Sequence, residues 1–312
     1  MKNSPRIIFF GTPEIAAPFL VALVKSKFNI IAVVTQPDRP AGRNNVLTPP
    51  PVKSIALSHR LPVLQFSTLK SVEVFNSLKT PKPDLFIVMA FGLLFPQKIL
   101  DLAPLGCLNI HPSLLPKYRG ASPIQSQILS GEKLSGLTIM KMDAGLDSGP
   151  VLETMRFPLD NFETSITLTQ KIVKLGPDFL IETLKNYLAG KIAIRAQDKS
   201  QATITKIIEK ADGRIDWSKP AEEIERQIRA YQPWPGSYTF WDNLKIEIIK
   251  ASVADIPTSE KSGAVIQKDA AVYIASGKNI LRIEELKPAS KKTMAAVDFV
   301  RGHPNFIGSS LT

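Results

Sequence analysis

Three side chains have the types and spacing to work on a carbonyl-type carbon: Asn109, His111 and Asp147. His111 is one of three histidines in the chain. It follows the apolar run Gly106–Ile110, which reads as a short buried strand. Strand side chains alternate, so Asn109 and His111 point to one side and Ile110 to the other. Pro112 removes the next ladder donor and stops the strand. An amide and an imidazole therefore stand together at a strand's carboxyl end, where open α/β sheets place their ligands. Asp147 lies in the turn-rich stretch Met142–Gly149. A carboxylate there can hold the imidazole in one tautomer and stabilise its protonated form. The Asn109 amide can donate to a developing oxyanion. No serine, cysteine or threonine is placed as an obvious nucleophile, which favours direct transfer to an incoming amine. The blander reading is a hydrogen-bonded structural histidine and an aspartate that only forms a turn. Spacing alone does not bring His111 to Asp147.

The elements that must position these groups alternate along the chain. Arg6–Phe10 reads as a buried strand, and Gly11–Glu14 opens a helix to about Lys25, with Thr12 suited to the N-cap and Pro13 to the first helical position. Strands at Asn29–Thr35, Val63–Gln65, Leu85–Met89 and 106–110 alternate with helices at Val52–Arg60, 71–79 and from Pro96. This is the pattern of a parallel sheet with helices on both faces. Residues 36–51 form a long, polar, proline-rich loop of the kind that is either functional or a solvated linker. Pro123–Leu129 reads as a helix, strands Gly136–Met142 and Val151–Phe157 flank the Asp147 loop, and an amphipathic helix covers 165–189. Residues 190–205 are polar and aperiodic and read as a linker. From 206 the pattern becomes a helix at 221–231 and short alternating runs at 237–240, 244–250, 263–267, 271–276 and 280–286, closed by a helix near 293–301. These suggest a small β-barrel, an OB-like barrel being one option. The expected fold class is α/β, with an N-terminal Rossmann-like parallel-sheet domain over 1–189, a linker over 190–205, and a C-terminal OB-like β-barrel domain over 206–312.

Composition narrows the partners. Of the 312 residues, 44% are hydrophobic, enough for packed cores in two domains. The single cysteine, Cys107, excludes a disulfide framework within the chain and suits a reducing compartment. Histidines and carboxylates do not cluster at ligand spacing, so no metal is expected. No apolar run approaches a membrane span, and the first strand leaves no room for a targeting segment; a cytoplasmic protein is expected. The net charge of +11 points to a polyanionic partner or to a lysine-rich soluble surface. No G-x-G-x-x-G follows the first strand, so dinucleotide binding loses its main support. The basic residues with an RNA-facing reading are Arg39 and Arg43 in the long loop, the stretch Lys117-Tyr118-Arg119, and Lys287, Lys291 and Lys292 near the end of the chain.

With those residues in view, the chain resembles the folate-dependent formyltransferases. The block NIHPSLLPKYRGASPIQ (109–125) followed by MDAGLDSGP (142–150) carries the resemblance. IIFFGTPE (7–14), TQPDRPAGR (35–43) and RIDWSKPAEEIERQIRAYQPWPGSY (214–238) are similar to the branch that formylates methionyl-tRNA, although sugar N-formyltransferases share much of the last segment. The likeness runs from about Arg6 to about Ala295.

The resemblance implies formyl transfer from 10-formyltetrahydrofolate to the α-amino group of methionine on initiator tRNA. It implies catalysis by the N-terminal domain and help from the C-terminal domain in holding the tRNA. The family's catalytic residues fall on Asn109, His111 and Asp147. Its folate-binding segment falls on Ser113, Leu114, Leu115 and Pro116. Phe91, Gly92 and Leu93, after the 85–89 strand, are in the chain position to line the folate pocket, with ordinary core packing as the alternative. Arg39 and Arg43 fall in the loop that meets the tRNA acceptor end. Where the family often carries lysines after that second arginine, this chain has Asn44-Asn45-Val46, which leaves more of the phosphate contact to the two arginines or to other lysines. A monomer is expected. The competing readings are a sugar-nucleotide N-formyltransferase, a catalytically silent RNA-binding protein on the same scaffold, and an NAD-dependent oxidoreductase.

Overall fold

The computed structural model describes residues 4–42, 45–256 and 259–312. The chain divides into two compact units: Met1–Pro123, Leu134–Pro158 and Thr169–Thr205 form the first, and Ile124–Lys133, Leu159–Leu168 and Lys206–Thr312 form the second.

In the first unit the strands are β1 (Arg6–Gly11), β2 (Asn29–Thr35), β3 (Arg39–Ala41), β4 (Val46–Thr48), β5 (Val63–Gln65), β6 (Leu85–Met89), β7 (Cys107–His111), β8 (Arg119–Gly120), β9 (Leu134–Lys141), β10 (Val151–Pro158) and β11 (Ile204–Thr205). Helices α1 (Ala17–Lys25), α2 (Pro51–Ser58), α3 (Val72–Lys79) and α4 (Gln97–Leu100) punctuate them. Helix α5 (Pro123–Leu129) precedes β9, and the long α6 (Ser165–Leu188) follows β10. Seven strands form one sheet in the order β10-β9-β7-β6-β1-β2-β5. β5, β2, β1, β6 and β7 run parallel; β9 pairs antiparallel with β7, and β10 pairs antiparallel with β9 and so runs in the direction of β7 again. The chain leaves β1 toward β2 on one side and returns to β6 on the other. The carboxyl ends of β1 and β6 therefore flank a topological switch point, where such sheets open a ligand crevice. One face of the sheet is sealed by Ile8, Phe10, Val34, Phe86, Val88 and Phe91, together with side chains from α3 and α4.

The sequence places most of these elements within a few residues, and three details differ. The turn after β1 starts as a 3-10 helix at Glu14–Ala16 whose N-cap is Pro13, without a side-chain cap. The Thr12 hydroxyl instead donates to the Phe91 carbonyl at 3.3 Å and accepts from the Gln36 amide at 3.3 Å. The 36–51 loop contains the short β3–β4 hairpin. Residues 190–205 are part of the first unit rather than a linker: Arg195 exchanges backbone hydrogen bonds with Val151 at 2.7 and 2.9 Å, and β11 pairs in parallel with β8. Single bridges and a two-residue strand leave no hydrophobic period in the sequence, so a polar, aperiodic stretch hides them.

The second unit is built on an antiparallel sheet ordered β12-β13-β16-β15-β14, from β12 (Ser237–Trp241), β13 (Leu244–Ala254), β14 (Val265–Lys268), β15 (Ala271–Ala275) and β16 (Ile280–Pro288), with β17 (Met294–Ala295) on β16. Helices α7 (Ala221–Ala230) and α8 (Ala296–Gly302) contribute Ile224, Ile228 and Phe299 to its core. The final residues bridge both edges of the sheet. Thr312 exchanges hydrogen bonds with Phe240 of β12 at 2.9 and 3.0 Å, and the Ser309 carbonyl accepts from Val265 of β14 at 2.9 Å. Pairing the two edge strands through one segment, at Phe240 and at Val265, gives the unit its barrel-like character. The segments 124–133 and 159–168 belong here because α7 holds them: Arg226 Nε donates to the Leu129 carbonyl at 2.9 Å and Arg229 Nη1 to the Glu163 carbonyl at 2.7 Å.

Candidate active site

β7 lies between β6 and β9, with Val88 opposite Asn109 on one side and Thr138 opposite His111 on the other. The alternation of the strand sends Asn109 and His111 to the same side, and the β9–β10 loop brings Asp147 to meet them. Asp147 Oδ1 accepts from Asn109 Nδ2 at 3.2 Å, and Oδ2 accepts from the Gly120 backbone N–H at 2.8 Å. The second Nδ2 hydrogen of Asn109 has no acceptor among the described residues. Asp147 sits at φ 47°, a left-handed conformation that aspartate tolerates better than most residues.

His111 is only 4% exposed. Its Nε2 lies 2.8 Å from the Tyr118 carbonyl oxygen. A carbonyl can only accept, so Nε2 carries the hydrogen and Nδ1 bears the lone pair of the neutral ring. Nδ1 faces Asp147 Oδ2 at 3.6 Å, too far for a hydrogen bond but close enough for the carboxylate to favour a proton arriving there. The sequence reading in which the carboxylate fixes the tautomer is therefore corrected: the Tyr118 carbonyl fixes it, and Asp147 supplies charge. Burial pushes the His111 pKa below its ordinary value, while Asp147 and the Tyr118 carbonyl pull against that. His111 is accordingly neutral and basic at Nδ1 near pH 7.

The segment after His111 is a pinned turn. Ser113 is fully buried, and its hydroxyl donates to the Lys117 carbonyl at 2.7 Å. Thr138, also buried, donates to the Ser113 carbonyl at 2.7 Å and accepts from the Leu115 amide at 3.2 Å. Ser113 thus shapes the turn, while Leu114, Leu115 and Pro116 remain half-buried and offer apolar surface. Phe91 is 2% exposed and packs edge-on to Phe10 and Phe95 with centroids 5.3 and 5.8 Å apart. Its ring belongs to the core, and its backbone carbonyl is what reaches the crevice side, accepting from Gln36 Nε2 at 2.9 Å. Gly92 is exposed and Leu93 half-buried.

Among the basic residues, Arg39 is exposed and donates through Nη2 to Gln36 Oε1 at 2.7 Å. Arg43 lies outside the described residues, as does Asn44. The Arg119 guanidinium is committed to Gln197 Oε1, at 3.1 Å from Nε and 2.8 Å from Nη2. Lys287 lies 3.4 Å from Glu247, and Lys291 and Lys292 are exposed. Sequence reasoning missed Gly120, Thr138 and Gln197. Only Thr138 left a signal, as a hydroxyl in an apolar strand that needs a buried partner.

An amide donor, a neutral imidazole with a free lone pair and a nearby carboxylate suit acyl-type transfer to an amine. Comparison with known proteins agrees. Residues 5–184 match the family described as formyl transferase, and residues 207–304 match the formyl transferase C-terminal domain. The chain is 46% identical over 299 residues to the methionyl-tRNA formyltransferase of Chloroflexus aggregans, covering 95% of this chain and 97% of that one. It is 43% identical over 310 residues to that of Pseudoalteromonas translucida, covering 98% and 97%. In fold it resembles WlaRD, a sugar 3N-formyl transferase solved with dTDP and 5-N-formyl-THF, at a TM-score of 0.68 and 20% identity, covering 93% of this chain and all of that one. It also resembles HypX from Aquifex aeolicus in complex with tetrahydrofolic acid, at a TM-score of 0.63 and 16% identity, covering 96% of this chain and 47% of that one. The chain belongs to the formyl transferase family.

Proposed function

We propose that this protein transfers the formyl group of 10-formyltetrahydrofolate to the α-amino group of methionine esterified to initiator tRNA. The observation that carries the chemistry is the meeting of Asn109, His111 and Asp147 at the carboxyl end of β7. The acceptor follows from relatives of 43 to 46% identity, near full length, that bear the methionyl-tRNA formyltransferase name.

The donor supplies an activated formyl carbon and an amine leaving group. The donor set fits it: Asn109 has an uncommitted N–H, and Leu93, Leu114 and Leu115 offer partly exposed apolar surface of the kind a folate ring needs. Ser113 and Phe91 serve this site through the backbone they fix, since both side chains are buried. Asn109 donates to the carbonyl oxygen as negative charge grows there. His111 Nδ1 takes the proton released by the attacking amine and returns it to the leaving nitrogen. Asp147 stabilises the imidazolium while it carries that proton. On the acceptor side, Arg39 and Arg43 are proposed phosphate contacts.

The test is an acceptor comparison with one donor. Purified protein is given 10-formyltetrahydrofolate with either methionyl initiator tRNA or an amino-sugar nucleotide, and formylated product is quantified. Product on the tRNA alone supports the assignment. Product only on the sugar keeps the chemistry and overturns the acceptor. Silence with both overturns the function.

A further inference from the structure

The stretch expected to link two domains carries a side chain that grips the catalytic loop. Gln197 Nε2 donates to the Asp147 carbonyl at 2.9 Å and to the Gly149 carbonyl at 2.7 Å. Its Oε1 accepts from Arg119 Nε and Nη2 at 3.1 and 2.8 Å. Both amide hydrogens and both oxygen lone pairs are thereby used. An uncharged amide is the side chain that can donate twice to carbonyls and accept from a guanidinium at once.

The three partners are the parts that place the Asp147 carboxylate. Asp147 itself sits at a left-handed φ of 47°, and its backbone carbonyl is one of the two acceptors that Gln197 holds. Gly149 runs so close to β9 that a Cβ there would stand 1.9 Å from the Lys141 carbonyl oxygen, so the far end of the loop is fixed. Arg119 precedes Gly120, whose N–H binds Asp147 Oδ2 at 2.8 Å, and follows Tyr118, whose carbonyl orients His111. Gln197 thus ties the Asp147–Gly149 backbone to the Arg119 side chain, whose own residue adjoins both Tyr118 and Gly120.

The structure assigns to Gln197 the role of positioning residue for Asp147, which makes the 195–205 segment part of the catalytic apparatus rather than a connector. This inference rests on the formyl-transfer reading for its kinetic consequence but not for its structural one. Gln197→Ala, and Gln197→Met as a variant that keeps the side-chain volume, are compared with wild type alone and in an Asp147→Asn background. The expected result is a kcat lowered about 10- to 100-fold with KM values for donor and tRNA unchanged. In the Asp147→Asn background the same substitution should change kcat by less than about twofold, because its route to the chemistry is gone.

A readout that needs no substrate accompanies these assays. NMR titration follows the His111 imidazole, and Asp147 is the charged group that acts on it. Loss of Gln197 should move the His111 titration to lower pH. Additive losses in the double variant, or an unmoved His111 titration in both Gln197 variants, would overturn the assignment. A wild-type enzyme silent on methionyl-tRNA would contradict the functional reading alone, and the His111 titration would then decide the role of Gln197 by itself.

Discussion

At the scale of residues, the groups around His111 hold different positions in the candidate site. The Tyr118 carbonyl fixes the His111 tautomer, and Asp147 contributes charge at 3.6 Å rather than a hydrogen bond. Asp147→Asn should therefore lower kcat by about 10²- to 10⁴-fold while KM stays within a few-fold; asparagine tolerates the left-handed backbone, so the loop is retained. Steady-state kinetics check this, and a change confined to KM would reduce Asp147 to a shaping role. The buried His111 makes a second, pH-dependent prediction. Its folded pKa lies below that of the unfolded chain because burial disfavours the imidazolium. Between the two values the unfolded chain binds more protons, so stability is lost as pH falls below about 6.5, the ordinary histidine value. Between pH 7.5 and 5.5 the wild type should lose more in Tm than His111→Gln, measured by calorimetry. The acid limb of kcat/KM that belongs to His111 should likewise lie below the ordinary histidine range.

At the scale of elements, the scaffold depends on a few close approaches. Gly176 within α6 meets α1 and β9: a Cβ there would stand 2.5 Å from Phe19 and 2.8 Å from Leu137. Gly176→Ala should cost about 1–3 kcal/mol through overpacking, read as a lowered Tm with kcat little changed; an unchanged Tm would show that α6 can shift without penalty. The sequence made most of the elements legible because β-branched runs and apolar periods mark them, as in Leu85–Met89 and Ser165–Leu188. It made the pairing of Asn109 with His111 legible because a five-residue strand fixes their common side. It did not show that Phe91 packs into the aromatic cluster around Phe10, since an aromatic after a strand suits a pocket wall and a core equally. Nor did it show Gln197 or the Tyr118 carbonyl. Both act through contacts between distant segments, and no local pattern encodes those.

At the scale of the whole molecule, the net charge of +11 suits a polyanionic acceptor. If Arg39 contacts a phosphate, Arg39→Ala should weaken tRNA binding and flatten the plot of log affinity against log salt by about one unit; a slope identical to wild type would remove Arg39 from the interface. In the proposed reaction one imidazole, held by the Tyr118 carbonyl and backed by Asp147, moves the proton in formyl transfer to methionyl-tRNA. The most direct test is single-turnover transfer from 10-formyltetrahydrofolate to methionyl initiator tRNA by wild type and by His111→Ala. The prediction is robust transfer by the wild type and a rate lower by about 10²- to 10⁴-fold in the variant at saturating substrates. Equal rates from the two proteins would show that His111 does not carry the proton.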